Sequence, residues 1–436
     1  MKCFTLYYAR RKPSRRAAEK SNHSIRIDIK KPLGQWSSMM RKKTTSPLIG
    51  KKMVHKKTDE LEQKHAFQAT YVPDAERLLS EIKAKKNIPY QVEIQPAPKS
   101  KKICWMECPY CYGGAADDSQ KDRMDEKTAL SVCDEIIKGG VKKIIFAGYA
   151  TDPLNSPYIE SLLEKCVKNQ IVFGFNTKGL KMSREFIELA TRPDIAAGSY
   201  ISLSVDAGTP ETYNQFHGLS PKVKVFEKVI ENAKSLSIQN ANNAHRLNCS
   251  AAYLVNELNY DQRNIYTFLD IFEELNFDIV RFAPLQKPRN LDVGDVILPE
   301  PVRIRKIFST LDVLVANRDP KSERTRVIIL NPETQLNIGA AARTLPCFSR
   351  WVFPTVGFDG YLYHCSQSSA PDFRSFCLGK LSGTNFWDLY YNYDAENLAD
   401  CVNESGEKMT AAGCRCDRKM HMTNGVVQKA LLGSEI

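Results

Sequence analysis

From about residue 88 to residue 286, short apolar runs alternate with stretches whose apolar positions recur every three or four residues. The runs at 90–94, 143–148, 171–176, 200–205, 247–255 and 279–283 have strand length. The stretches at 127–138, 158–169, 183–190, 222–235 and 261–275 have the helical period. In the fourth of these, Val225, Val229, Ile230 and Ala233 share one face. Strand–helix alternation of this kind predicts an α/β fold with a parallel sheet, here an open partial (β/α)6 barrel over 88–290. Parallel sheets carry their working loops at the C-terminal strand ends. Residues 61–87 read as a helical lead-in and 291–346 as a connector, with a helix at 300–317 and a strand at 327–330. From 347 the composition turns to Cys, Gly, Tyr and Phe, which predicts a small cysteine-rich α+β domain over 347–436.

Composition refines this picture in three ways. Hydrophobic residues make up 42% of the 436, yet no apolar run approaches the ~20 residues of a membrane helix, so no membrane partner is expected. The net charge of +12 belongs to one end: residues 1–57 hold 17 Lys and Arg against Glu19 and Asp28, so the other residues are near neutral. Residues 1–60 show no sustained period and read as a disordered basic arm. It is either a solvated tail or a contact for RNA or another polyanion. The chain holds 13 cysteines, clustered at 104–111 and from 347 to 416. That clustering suits metal ligation in a reducing, cytoplasmic compartment better than a disulfide framework.

Cys104, Cys108 and Cys111 form a C-x3-C-x2-C triplet in the loop after the first predicted strand. Three thiolates can hold three irons of a [4Fe–4S] cube and leave the fourth open to a ligand. On spacing alone a zinc knuckle or three core cysteines would also serve, although no His or Cys follows Cys111 until Cys133.

The triplet, with Tyr110 immediately before its third cysteine, resembles the signature of the radical S-adenosylmethionine (radical SAM) superfamily. The resemblance implies that SAM chelates the open iron and is cleaved reductively to a 5′-deoxyadenosyl radical. It also implies roles for residues at later strand ends. Gly148 in Phe146-Ala147-Gly148 would meet the amino group of SAM, with Asp152 as the acid, although the family's Gly-Gly-Glu-Pro run is altered here. Thr177 lies in a turn similar to the family's Thr-Asn-Gly. Ser204 and Asp206 would face the ribose hydroxyls, Tyr110 the adenine, and Asn259 and Arg281 would be polar contacts on the fifth and sixth strand ends. His217 and His364 lie near the proposed sites and read as structural hydrogen-bonding residues.

The C-terminal cysteines carry a second pattern. Cys347, Gly360 and Cys365 resemble the opening of the SPASM and Twitch extensions, which hold auxiliary iron–sulfur clusters. Cys347, Cys365, Cys414 and Cys416 are the candidate ligands of an auxiliary [4Fe–4S] cluster, with Cys377 or Cys401 as substitutes; a structural zinc would use the same thiols. The family implies a radical SAM oxidoreductase or maturase that abstracts hydrogen from an unactivated carbon of a peptide or small molecule. Its electron donor would be a flavodoxin or ferredoxin. The rival readings are an RNA-modifying radical SAM enzyme that uses the basic arm, and a non-catalytic zinc or iron–sulfur scaffold.

Overall fold

The computed structural model describes residues 74–99, 104, 106–111, 122–149, 151–285, 299–333, 336, 346–369, 371–414 and 416–432. The basic arm lies outside the described residues. All six predicted barrel strands form, as β1 (Val92–Ile94), β2 (Lys143–Phe146), β3 (Val172–Thr177), β4 (Tyr200–Ser204), β5 (Asn248–Val255) and β6 (Ile279–Pro284). Each pairs in parallel with the next. The connector adds β7 (Arg326–Ile329), parallel to β6.

The helices form where their patterns place an apolar stripe against this sheet. In helix Glu126–Lys138, Ala129, Val132, Cys133 and Ile136 are buried at i, i+3, i+4 and i+7. Asp125 starts it by accepting the Thr128 backbone N–H at 2.7 Å, a cap that contributes about 1 kcal/mol. Helix Gln262–Glu274 repeats the design, with Ile265, Phe268, Leu269 and Phe272 inward and Asp261 as its cap. The helix predicted at 222–235 extends over Val225–Asn242. A short helix that the apolar period did not reveal, Pro210–Phe216, precedes it.

The connector is fastened by a buried ion pair. Arg318 donates to both oxygens of Glu273, at 2.8 and 2.9 Å, and Lys321 N–H adds a third bond at 2.6 Å. The Glu273 side chain is 1% exposed and that of Arg318 9%. Arg318 also pairs with Asp270, so loss of Glu273 leaves it one counter-charge but takes away both bonds to the more deeply buried carboxylate. Glu273→Ala is therefore expected to lower unfolding stability by about 3 kcal/mol in urea titration. A change within 0.5 kcal/mol would show that the pair is not desolvated in solution.

The cysteine-rich segment builds directly onto the barrel. Its first strand, β8 (Thr355–Val356), pairs in parallel with β1, and β9 (Tyr361–Tyr363) and β10 (Gly379–Lys380) continue antiparallel. The result is a ten-stranded sheet in the order β10-β9-β8-β1-β2-β3-β4-β5-β6-β7. One apolar core runs from Ile82 and Val92 through the barrel to Trp351, Phe386 and Val427. Trp387 locks the segment to helix Glu126–Lys138 by donating its indole N–H to Glu135 O at 2.8 Å. A side chain at Gly139 would collide with that ring at 2.0 Å. No helix among the described residues is long and apolar enough to cross a membrane.

Candidate functional site

The cysteine loop leaves the C-terminal end of β1 and rests on the end of helix Pro210–Phe216. Glu107 N–H donates to His217 O at 3.2 Å, and Cys111 N–H closes a turn on Cys108 O at 3.1 Å. Tyr110 stacks on Phe216 with centroids 4.6 Å apart. Gly218 lets the two segments touch: its φ is +64°, and a Cβ there would lie 2.6 Å from Glu107 O.

Cys104, Cys108 and Cys111 line one cavity of about 320 Å³, together with Tyr110, Gly148, Asp152, Thr177, Ser204 and Asp206. Thus nine residues singled out in the sequence, from the ends of β1 to β4, meet at one place. Burial, with contributions from the neighbouring Cys111 and Cys104, pushes the Cys108 thiol up to about 11, against the Lys178 ammonium, which lowers it. Among the described residues, no three His, Cys, Asp or Glu side chains are grouped so as to hold a single metal ion. A cubane spreads its thiolates over separate irons, so the donor set of three thiols on one loop facing one cavity suits it.

The turn after β2 is shaped by Gly148. A Cβ on Gly148 would lie 1.3 Å from the Thr151 carbonyl oxygen, so the chain can fold back only with glycine there. Asp152 is then pinned on all sides: its carboxylate accepts Thr177 Oγ1–H at 2.8 Å, Lys178 N–H at 2.6 Å and Leu154 N–H at 2.9 Å. Burial pushes its pKa up, and these donors pull against it. Gly148→Ala is expected to weaken binding of the cavity's ligand at least tenfold while leaving the distant core intact. Equilibrium dialysis with labelled SAM measures this, and unchanged affinity would mean the turn does not shape the seat.

Asp206 is the hub. It is fully buried and adopts φ +65°, a conformation that Asp and Asn tolerate better than most side chains. One carboxylate oxygen accepts Lys178 Nζ at 2.8 Å and Tyr110 O–H at 3.1 Å, and the other accepts Leu254 N–H at 2.8 Å. Burial works to lower the Lys178 pKa, but Asp206 and Cys108 carry it above its ordinary value. His217 is fully buried beside this group, with Nδ1 3.3 Å from Cys108 Sγ and 3.2 Å from the Tyr110 hydroxyl. Burial, with the Lys178 ammonium, holds its pKa well below the usual range. The neutral ring has its Nε2 3.2 Å from Val205 O, which assigns the proton to that nitrogen and fixes the tautomer.

Two predicted contacts are placed elsewhere. Asn259 is fully buried behind Asp206, where its amide donates to Asp206 O at 2.9 Å and to Leu254 O at 2.8 Å. It positions the hub and does not line the cavity. Arg281 lies on β6, also outside the cavity lining, with burial lowering its pKa and Tyr200 and Asp206 opposing that. Lys178 was overlooked: it appeared in the sequence only as one residue of the turn after β3, and its role comes from pairing with an aspartate on the next strand.

The structure places the C-terminal thiols in several local settings. Cys347 N–H donates to Val402 O at 3.2 Å, beside Cys401. Asn424, fully buried, accepts Phe348 N–H at 2.8 Å and directs its amide at Cys416 Sγ, 3.8 Å away, so it links the start and end of the thiol-rich segment. Cys365 sits at the head of a 3-10 turn with Ser368 Oγ 3.8 Å from its sulfur. Cys414 packs with Phe373 and Met409 in a separate small cluster, and Cys377 and Cys401 are half-buried.

Residues 100–269 match the family model described as "Radical SAM superfamily". A sequence search of curated proteins finds no significant match. Among solved structures the chain is similar to SuiB of Streptococcus suis, at 12% identity and TM-score 0.53, over 80% of this chain and 78% of that one. The same protein bound to precursor peptide SuiA aligns at 12% identity and TM-score 0.51, over 78% and 77%. Native anSMEcpe with bound AdoMet aligns at 16% identity and TM-score 0.50, over 79% and 97%. At these identities the likeness establishes the fold.

Proposed function

We propose that this chain, whose residues 100–269 match the radical SAM superfamily model, is a radical SAM enzyme in which Cys104, Cys108 and Cys111 hold a [4Fe–4S] cluster whose open iron binds SAM in the adjoining cavity. When bound, the reduced cluster supplies one electron that breaks the C5′–S bond of SAM, giving methionine and a 5′-deoxyadenosyl radical. The observation that carries this reading is the single cavity joining the three thiols to the ends of β2, β3 and β4.

The residues of the chain have separable tasks in this reading. The Gly148 turn opens the space in which the amino-acid part of SAM meets the cluster. Asp152 receives an ammonium there, held in orientation by Thr177 and the Lys178 backbone. Ser204 and the Asp206–Lys178–Tyr110 group border the nucleoside side. His217 fixes the Cys108 side of the loop. Met106, Leu180 and Leu254 supply apolar wall that excludes water from a reactive radical.

The radical is proposed to abstract hydrogen from an unactivated carbon of a peptide or small molecule. The peptide choice gains support from the precursor peptide bound by the SuiB neighbour. An auxiliary [4Fe–4S] cluster is proposed on Cys347, Cys365, Cys414 and Cys416. Its support is the Asn424 link between Cys416 and the backbone next to Cys347. A flavodoxin or ferredoxin is proposed as electron donor.

Electron paramagnetic resonance of the anaerobically reconstituted, dithionite-reduced chain tests the first cluster. Added SAM should change its signal, because SAM takes the open iron. A signal indifferent to SAM would leave the cavity without this function. Iron analysis tests the second cluster: about eight irons per chain are expected, four in each cube.

A further inference from the structure

A second cavity, of about 200 Å³, adjoins the first and shares Ala147, Gly148, Tyr149 and Asn176 with it. β1 contributes Glu93 and Gln95 to its wall, and the start of helix Arg418–Leu432 contributes Asp417 and Lys419. The sheet-edge pairing of β8 with β1 fixes this frame, since Gln95 N–H donates to Val356 O at 2.9 Å.

Glu93 and Gln95 stand two residues apart on one face of the strand, 7% and 2% exposed. The Gln95 amide donates to Glu93 Oε1 and to Ser369 Oγ, both at 2.9 Å. The opposite flip would set its carbonyl oxygen against a carboxylate. In the observed orientation Gln95 Oε1 is buried with no hydrogen-bond partner. Its amide nitrogen faces the Glu93 carboxylate and holds it in place. The Lys419 ammonium lies within electrostatic reach of Glu93 and opposes the upward push of burial on that carboxyl. Yet the two make no ion pair among the described residues. Asp417 is engaged in capping, accepting Met420 N–H at 2.9 Å, and Lys143 is the further cation near Lys419. The cavity thus sets the Glu93 carboxylate, held by the Gln95 amide, against a cation with which it makes no ion pair.

We propose that this second cavity is the substrate seat, and that it takes a zwitterionic group: an ammonium received by Glu93, whose carboxylate the Gln95 amide orients, and a carboxylate received by Lys419. A free amino acid or a short peptide has that chemistry, and the volume suits one such unit. A purely anionic substrate would meet Glu93, and a neutral one would leave both charges unmatched. The inference rests on the reading of the first cavity as the SAM seat, because the wall of Ala147, Gly148, Tyr149 and Asn176 shared by the two cavities sets them side by side.

The test uses the full chain, anaerobically reconstituted and saturated with SAM. The probes are the free L-amino acids and a set of dipeptides, each beside its N-acetyl and methyl-ester forms, with binding read by ligand-observed NMR. At least one free probe should bind, and capping either end should weaken it tenfold or more. Binding by amino acids alone identifies the free-molecule source, and binding by dipeptides the peptide source. Glu93→Gln should weaken the uncapped probe but not the N-acetylated one. Lys419→Ala should weaken the acid but not the ester, and as a helix-end change it remains informative if the buried substitution unfolds the chain. SAM affinity should stay within threefold in both variants. The proposal is overturned if SAM binds but no probe does, or if capped and free probes bind alike. Failure of SAM to bind the unaltered chain would instead remove the reading beneath it.

Discussion

Replacing Cys104, Cys108 and Cys111 together by alanine is expected to remove one cluster's worth of iron, about four atoms per chain, and to reduce SAM cleavage to background. The three thiols lie on one loop and line one cavity, so no other thiol can take over the site without rebuilding the loop. The fold should survive the change. The variant loses the Cys108 Sγ contact with His217, but Glu107 N–H on His217 O and the Tyr110–Phe216 stack, which use no cysteine side chain, still hold the loop. The C-terminal thiols do not line this cavity, so iron bound there should persist. Loss of all iron would mean that the two thiol groups are not independent. Undiminished 5′-deoxyadenosine formation would remove the triplet from the chemistry.

The second large effect is expected at Asp206. Asparagine is the informative substitution, because it tolerates φ +65° and keeps an oxygen for the Leu254 N–H, while it removes the charge and puts an NH2 where Lys178 Nζ and Tyr110 O–H need an acceptor. Alanine would add backbone strain to the result. Lys178 has a side chain only 18% exposed, and in Asp206→Asn it loses its counter-charge. Breaking such a pair costs about 3 kcal/mol at the low end, so the variant should unfold at lower urea by that amount. SAM affinity should fall about tenfold to a hundredfold, equivalent to roughly 1.4–2.7 kcal/mol, because Tyr110 and the wall it supports lose their anchor. Adding Lys178→Met removes the stranded cation and should restore much of the stability without restoring SAM binding. Joint recovery of both would make Asp206 a stability residue alone. An unchanged SAM affinity in Asp206→Asn would do the same.

The barrel was legible because its signals are local. Each strand from β2 to β6 is an apolar run, and each following helix shows its stripe within a dozen residues, as Ala129, Val132, Cys133 and Ile136 do. Gly148 was legible as a turn glycine, and the fold supplies the reason in the Thr151 carbonyl that its Cβ would strike. What stayed hidden depends on partners distant in sequence. β8 is two residues long, too short for a period to register, and exists because β1 offers it an edge. Lys178 gains its place from Asp206, 28 residues away, and no spacing rule announces that pair. Asn259 was expected at the ligand because polar residues at strand ends commonly face it; its amide instead holds the Asp206 backbone. Glu93 lies in the short first strand and Gln95 just beyond it, and no sequence signal singles them out. Only the burial of both, with one carbonyl oxygen left unpartnered, marks them.

The central claim is that this chain cleaves SAM reductively on the cluster of the triplet. Its most direct test is to incubate the reconstituted chain anaerobically with dithionite and SAM, and to quantify 5′-deoxyadenosine and methionine by chromatography. The account predicts that both form in equal amounts, only with reductant present, and not in the triple cysteine variant. Intact SAM after prolonged incubation of a chain with its full iron, or cleavage that needs no reductant, would contradict it.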